Sequence, residues 1–132
     1  MMNKTIKNPT FFVDIDGTLV HYRKFSELST SILSPIIEVI DYVNNQYNSG
    51  AVIIITTARP ESYRQYTIDE LNKIGVKFNQ LVMDCGRGTR VILNDKDPDQ
   101  PHIDRAVGIN LERNEGFKSF ETIPLIKKYE SD

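Results

Sequence analysis

The sequence of 132 residues contains no tryptophan and a single cysteine, Cys85. One thiol excludes an internal disulfide, and no Cys and His cluster has zinc-like spacing. A reducing, cytoplasmic setting is therefore expected. No apolar run approaches the roughly 20 residues that cross a bilayer. Lys4 and Lys7 are followed by only a short apolar stretch before Asp14 and Asp16, unlike a secretory leader. Neither sign of charge dominates: 16 Lys and Arg stand against 18 Asp and Glu, a formal charge of −2. Without a run of like charge, neither nucleic acid nor a membrane is an implied partner. The P-loop pattern GxxxxGK[ST] is missing as well. Gly86 and Gly88 lack its strand-to-helix setting, so ATP hydrolysis by that route is unsupported.

What is present reads as one globular domain over residues 1–132, with 39% hydrophobic and 26% charged residues. Residues 10–14, TFFVD, form an apolar run that ends in acid and meets Gly17, the pattern of a buried strand followed by a turn. Ser34-Pro35 offers an N-cap followed by proline at a first helical position. Ile36, Ile40, Val43 and Tyr47 then fall on one helical face, and Gly50 supplies a left-handed stop after about Ser49. Residues 51–55 are continuously apolar and too short for a helix, which predicts a central parallel strand. A second helix is expected over residues 61–74, with Ile68, Leu71 and Ile74 on one face and Gly75 as its terminator.

Further strands are expected at 80–83, 91–93 and 106–111, and a last helix near 123–129 that would cover the sheet. This alternation predicts an α/β fold whose mostly parallel sheet of about five strands is joined by right-handed crossovers. Ligands of such sheets sit beyond the carboxyl ends of the strands. Asp14, Thr57 and Asn94-Asp95 all fall at strand ends and should converge on one edge.

The segment FFVDIDGTLV carries the chemistry. Two carboxylates two residues apart repel, so an apolar strand ends this way at a cost unless a cation or a basic group offsets it. Magnesium, which takes oxygen ligands and keeps waters, is the natural candidate. An isolated DxD serves equally well as a turn former or helix cap; its DxDGT context sets this one apart.

DIDGTLV at residues 14–20 resembles the first signature of the haloacid dehalogenase superfamily, and the resemblance extends over about residues 10–111. It implies a three-layer, Rossmann-like domain and a magnesium-dependent phosphohydrolase. Asp14 would be the nucleophile that becomes an aspartyl-phosphate. Asp16 would protonate the leaving oxygen and later activate water, its backbone carbonyl helping to hold magnesium beside Asp14. A carboxylate nucleophile divides the hydrolysis into two easier steps, and a second acid has to supply and recover the proton.

The second signature, a hydroxyl at the end of the next core strand, is met by Thr57 in Thr57-Ala58-Arg59, with Thr56 as the alternative. Such a hydroxyl can donate to a phosphoryl oxygen; otherwise threonine is simply a β-branched strand residue. The third, a basic group for the phosphate, falls on Arg90, with Arg87 a weaker contender. Family members more often use lysine there, but arginine can fork two hydrogen bonds onto phosphate. The fourth is acidic and completes the magnesium site: Asp95 as direct ligand, with either Asn94 in place of the first acid of a pair or Asp99 as the downstream acid. His21 and His102 read as surface residues, and Cys85 has no matched base.

No large cap fits, since only residues 18–33 separate the DIDGT loop from the first helix. The site is therefore expected to be open or covered by a neighbouring subunit in a homo-oligomer. Small capless relatives act on sugar phosphates, nucleotides and polysaccharide precursors, and LNDKDP at 93–98 resembles members from bacterial polysaccharide loci. Arg59, Tyr22 and Arg23 are candidate substrate contacts. Rival readings are a phosphotransferase or mutase using the same intermediate, a receiver-like module phosphorylated on Asp84, and a non-catalytic binding domain. The order of Thr57 before Asp84 argues against the receiver.

Overall fold

A computed structural model describes residues 8–118. Three strands, β1 (Thr10–Asp14), β2 (Val52–Thr56) and β3 (Gln80–Val82), form a parallel sheet in the order β1-β2-β3. Phe12 pairs with Ile54 and Asp14 with Thr56, while Thr56 in turn pairs with Val82. The three carboxyl ends therefore lie at one edge. Helix α1 (Ile37–Asn48) links β1 to β2, and α2 (Arg64–Lys73) links β2 to β3. A short 3₁₀ turn (Glu61–Tyr63) leads into α2, its first backbone N–H donating to the Asp84 carboxylate at 3.1 Å. Gly50 and Gly75 end the two helices at φ +101° and +79°, as their sequence positions predict.

One face of the sheet holds the core. Val13, Ile55 and Leu81 share that face in register and are buried, as is Ile53. Val39, Ile40 and Val43 of α1 and Leu71 of α2 join the same cluster. Fully burying an Ile or Leu side chain contributes about 1.5–3 kcal/mol, so Ile53 and Ile55, both fully buried, make β2 the axis of the fold. The opposite face is more open than the sequence suggests, with Phe12 55% exposed and Val82 41% exposed.

Two expectations are corrected. Ser34-Pro35 does not open α1, which begins at Ile37. The Ser34 carbonyl instead accepts from the His21 N–H at 2.8 Å, Pro35 bridges Val20, and the Ile36 N–H donates to the Leu19 carbonyl. Those backbone groups are committed to the loop after β1, so the helix starts beyond them.

Nor are there five strands among the described residues: 91–93 and 106–111 lie in irregular chain. Val91 and Leu93 are 75% and 92% exposed. The loop that follows folds on itself through Arg105–Asp95 and Lys96–Asp104 ion pairs and the turn bonds Gln100 N–H to Asp97 O and Ile103 N–H to Gln100 O. Local apolarity supplied the strand signal, but these bonds tie the segment to itself and not to a neighbouring strand. The helix expected near 123–129 lies outside the described residues. No helix among the described residues is long and apolar enough to cross a membrane.

Candidate functional site

Beyond the carboxyl ends of the strands lies a cavity of about 260 Å³. Asp14, the last residue of β1, faces it together with Asp16, Thr57 and Arg90, four residues drawn from three separate segments. Of the two threonines, Thr57 lines the cavity and is buried, while Thr56 does not line it. The sequence-level substrate candidates Tyr22, Arg23 and Arg59 also line the wall.

The loop carrying the two acids is wound tightly. The Ile15 carbonyl accepts from the N–H groups of Thr18, Leu19 and Val20, and Gly17 N–H donates to the Val20 carbonyl at 2.7 Å. This winding needs φ +92° at Gly17, a conformation that side chains disfavour. A Cβ there would also press on the Arg113 side chain, its Cγ 3.2 Å away. Gly17→Ala is expected to destabilise the protein by about 1–2 kcal/mol, read as a lower urea midpoint at unchanged slope.

Asp14 opens toward the cavity mouth, yet the protein around it strips water from its carboxylate. That desolvation, supported by repulsion from Asp16, lifts its pKa above the ordinary 3.8. A hydrogen bond from the Thr18 hydroxyl to Asp14 Oδ2 at 3.2 Å and the positive charge of Arg90 oppose the rise without cancelling it.

Asp16 is held differently. Arg59 grips it with a two-pronged fork, Nε to Oδ2 at 3.1 Å and Nη2 to Oδ1 at 2.9 Å. Arg59 is itself only 4% exposed, and its Nη1 donates to Glu70 Oε1 at 2.9 Å and to the Thr67 hydroxyl. Arg23 completes the chain, its Nη2 reaching both Glu70 oxygens at 2.9 and 3.0 Å. Burial alone would weaken the Arg59 charge, but its bonds to Asp16 and Glu70 more than offset this and raise its pKa. Burial would likewise raise the Glu70 carboxyl, yet hydrogen bonds from Arg23 and Arg59 hold it below its ordinary 4.5. Arg23 Nε is buried in this wall and has no hydrogen-bond partner among the described residues.

Thr57 has a divided role. Its hydroxyl oxygen accepts from the Arg59 N–H at 3.1 Å, which fixes the side chain while its own O–H proton can still be donated. Its backbone N–H and carbonyl bond to Val82 O and Cys85 N–H, tying the end of β2 to the chain leaving β3.

The acids expected to complete a metal site stand elsewhere. Asp95 accepts from Arg105 Nη1 at 3.0 Å on the exposed loop, Asp99 N–H donates to Asp97 Oδ1, and Asn94 is exposed; none lines the cavity. Among the described residues no group of three or more His, Cys, Asp or Glu is placed to hold a metal ion. This donor set does not fit a complete magnesium site.

One wall residue, Arg113, and its neighbour Asn114 were invisible in the sequence. Arg113 enters from the far end of the chain and lies over the Tyr22 ring, its guanidinium carbon 4.0 Å from the centroid. Asn114, at φ +68°, docks this turn: its N–H donates to Gly17 O at 2.9 Å, and its side-chain oxygen accepts from the Tyr22 N–H at 2.6 Å. The only sequence signal was the turn-prone Asn-Glu-Gly run at 114–116, which says nothing about what it packs against.

No family model and no curated protein sequence matches this chain. A chain from the Pnkp1/Rnl/Hen1 complex has a similar fold, with a TM-score of 0.52 and 18% identity, covering 69% of this chain and 32% of that one. This protein thus spans about a third of that chain's length. A structural-genomics crystal structure from Vibrio cholerae aligns at a TM-score of 0.49 and 22% identity, over 91% of this chain and 97% of the other.

Proposed function

We propose that this chain is a phosphomonoesterase of the haloacid dehalogenase type, acting through an aspartyl-phosphate on Asp14. The observation that carries the reading is the convergence of Asp14, Asp16, Thr57 and Arg90 on one cavity at the carboxyl edge of a parallel sheet. Asp14 Oδ attacks phosphorus, forming an O–P bond as the bond to the leaving alcohol breaks. Thr57 and Arg90 donate to the phosphoryl oxygens. In this reading Asp16 serves as the acid that gives a proton to the leaving oxygen. It then takes a proton from the water that cleaves the acyl-phosphate, freeing phosphate and Asp14. The raised Asp14 pKa fits a nucleophile whose charge is poorly solvated and therefore reactive.

A three-layer layout and a phosphorylated sugar or nucleotide as substrate come to this proposal from the sequence resemblance, as does a magnesium requirement, for which the described residues supply no complete site. The test is phosphate release from a panel of phosphomonoesters and a generic aryl phosphate, in magnesium and in EDTA, with acid quenching to trap protein-bound phosphate. Phosphate release with label on Asp14 is expected. A panel without turnover, or label on another residue, overturns the reading.

A further inference from the structure

Five arginines line the cavity, and they divide into two kinds. Arg23 and Arg59 are buried and matched by Glu70 and Asp16. Arg87, Arg90 and Arg113 lie at its exposed wall, and none of them is ion-paired to a carboxylate among the described residues. Against these three stands the single carboxylate of Asp14. The wall therefore carries a surplus of two positive charges, the amount that a phosphomonoester dianion brings.

Two of the three are also held in place. Arg90 Nη1 donates to the carbonyls of Gly86 at 2.8 Å and Gly88 at 3.1 Å, which pins one corner of its guanidinium. Arg113 is fixed on the Tyr22 face by the docking of Asn114 onto Gly17 and Tyr22. A guanidinium whose position is set before the ligand arrives loses less freedom on binding. Its planar fork also matches phosphate oxygens.

We propose that Arg87, Arg90 and Arg113 form a cradle that binds a phosphate dianion in this cavity without a divalent cation. The charge that a metal would otherwise supply to the bound phosphate comes from these side chains, in keeping with a donor set that, among the described residues, gathers no third acid beside Asp14 and Asp16. The proposal rests on the reading of the cavity as a phosphate site and concerns anchoring alone; the chemical step is separate. Because the three arginines face solvent, the attraction is screened by salt.

Calorimetric titration of the full chain with inorganic phosphate, in EDTA and again in excess magnesium, tests the cradle. Saturable one-to-one binding in EDTA is expected, weakening as salt is raised. Arg90→Ala and Arg113→Ala are each expected to weaken it by about tenfold, the loss of one charge-assisted hydrogen bond. Arg87→Ala, on an exposed loop clear of the core, gives a third reading should either other variant unfold, with far-UV circular dichroism monitoring each fold. Binding that appears only with magnesium overturns the proposal, as does binding in EDTA that all three variants leave intact. Phosphate held in EDTA by a protein that turns over no phosphomonoester sustains the cradle and removes the hydrolase reading. Magnesium-dependent turnover with no phosphate binding in EDTA does the reverse.

Discussion

Asp14→Asn is expected to reduce kcat for phosphomonoester hydrolysis by about 10⁴-fold or more, because a neutral amide cannot form the acyl-phosphate that divides the reaction. The carboxylate of Asp14 sits at the end of β1, desolvated on its protein side and held by Thr18. Asparagine has nearly the same shape, so the cavity should survive the change while the nucleophile is lost. Steady-state kinetics beside a thermal melt separates the two effects: the rate falls and the melting temperature stays close to that of the parent. Asp16→Asn is expected to cost less, about 10²–10⁴-fold, the usual range for removing a positioned general acid. It should also retain trapped phosphoenzyme with substrates whose leaving group needs no proton. Equal losses at both positions for such substrates would count against separate roles.

Glu70→Ala should produce the largest loss of stability. Among the described residues the Glu70 carboxylate is the one acid shared by two buried arginines, accepting from Arg59 Nη1 and from Arg23 Nη2. Removing one partner of a buried pair leaves an uncompensated charge and typically costs about 3–5 kcal/mol. Arg59 would retain Asp16, so the lower end, about 3 kcal/mol, is expected, a large share of the total stability of a small domain. Urea unfolding at neutral pH measures it.

The effect has a defined pH signature. Glu70 is held below its ordinary 4.5 in the folded protein. Its stabilising contribution is therefore fully present above that value and is lost as pH falls through the depressed folded-state pKa. The stability gap between the parent and Glu70→Ala should hold constant at neutral pH and close progressively in acid below about 4.5. A gap independent of pH would show that Glu70 acts through packing and not through charge.

How far the sequence could be read depended on how local each signal was. The three strands and both helices are written in periodicity: TFFVD, the run from Ala51 to Ile55, and Ile40 with Val43 on one face all declare themselves within a few residues. The stops at Gly50 and Gly75 are equally local. So were Asp14, Asp16 and Thr57, whose positions at strand ends follow from the same patterns. Residues 91–93 carried the same apolar signal and gave no strand, because pairing depends on a distant neighbour that local composition cannot specify.

The network around Glu70 was illegible for a related reason. Arg23 lies 47 residues from Glu70, and Arg59 lies 43 from Asp16. Nothing in the neighbourhood of any of these residues marks it as one of a set. Arg59 could be singled out as a substrate contact from its place beside Thr57, but the structure ties its guanidinium to Asp16, Thr67 and Glu70.

The clasp between Gly17 and Asn114 joins the loop after β1 to the turn near the end of the described residues, across nearly the whole described length. Contacts so distant in sequence are slow to close, since the intervening chain must first be ordered. On the ribosome, β1 and its two acids emerge early, but their loop gains its final fastening, and Arg113 its seat on Tyr22, only once the chain has been made through Asn114. A nascent chain arrested before Arg113 would thus leave the acid loop unclasped and the Tyr22 ring uncovered.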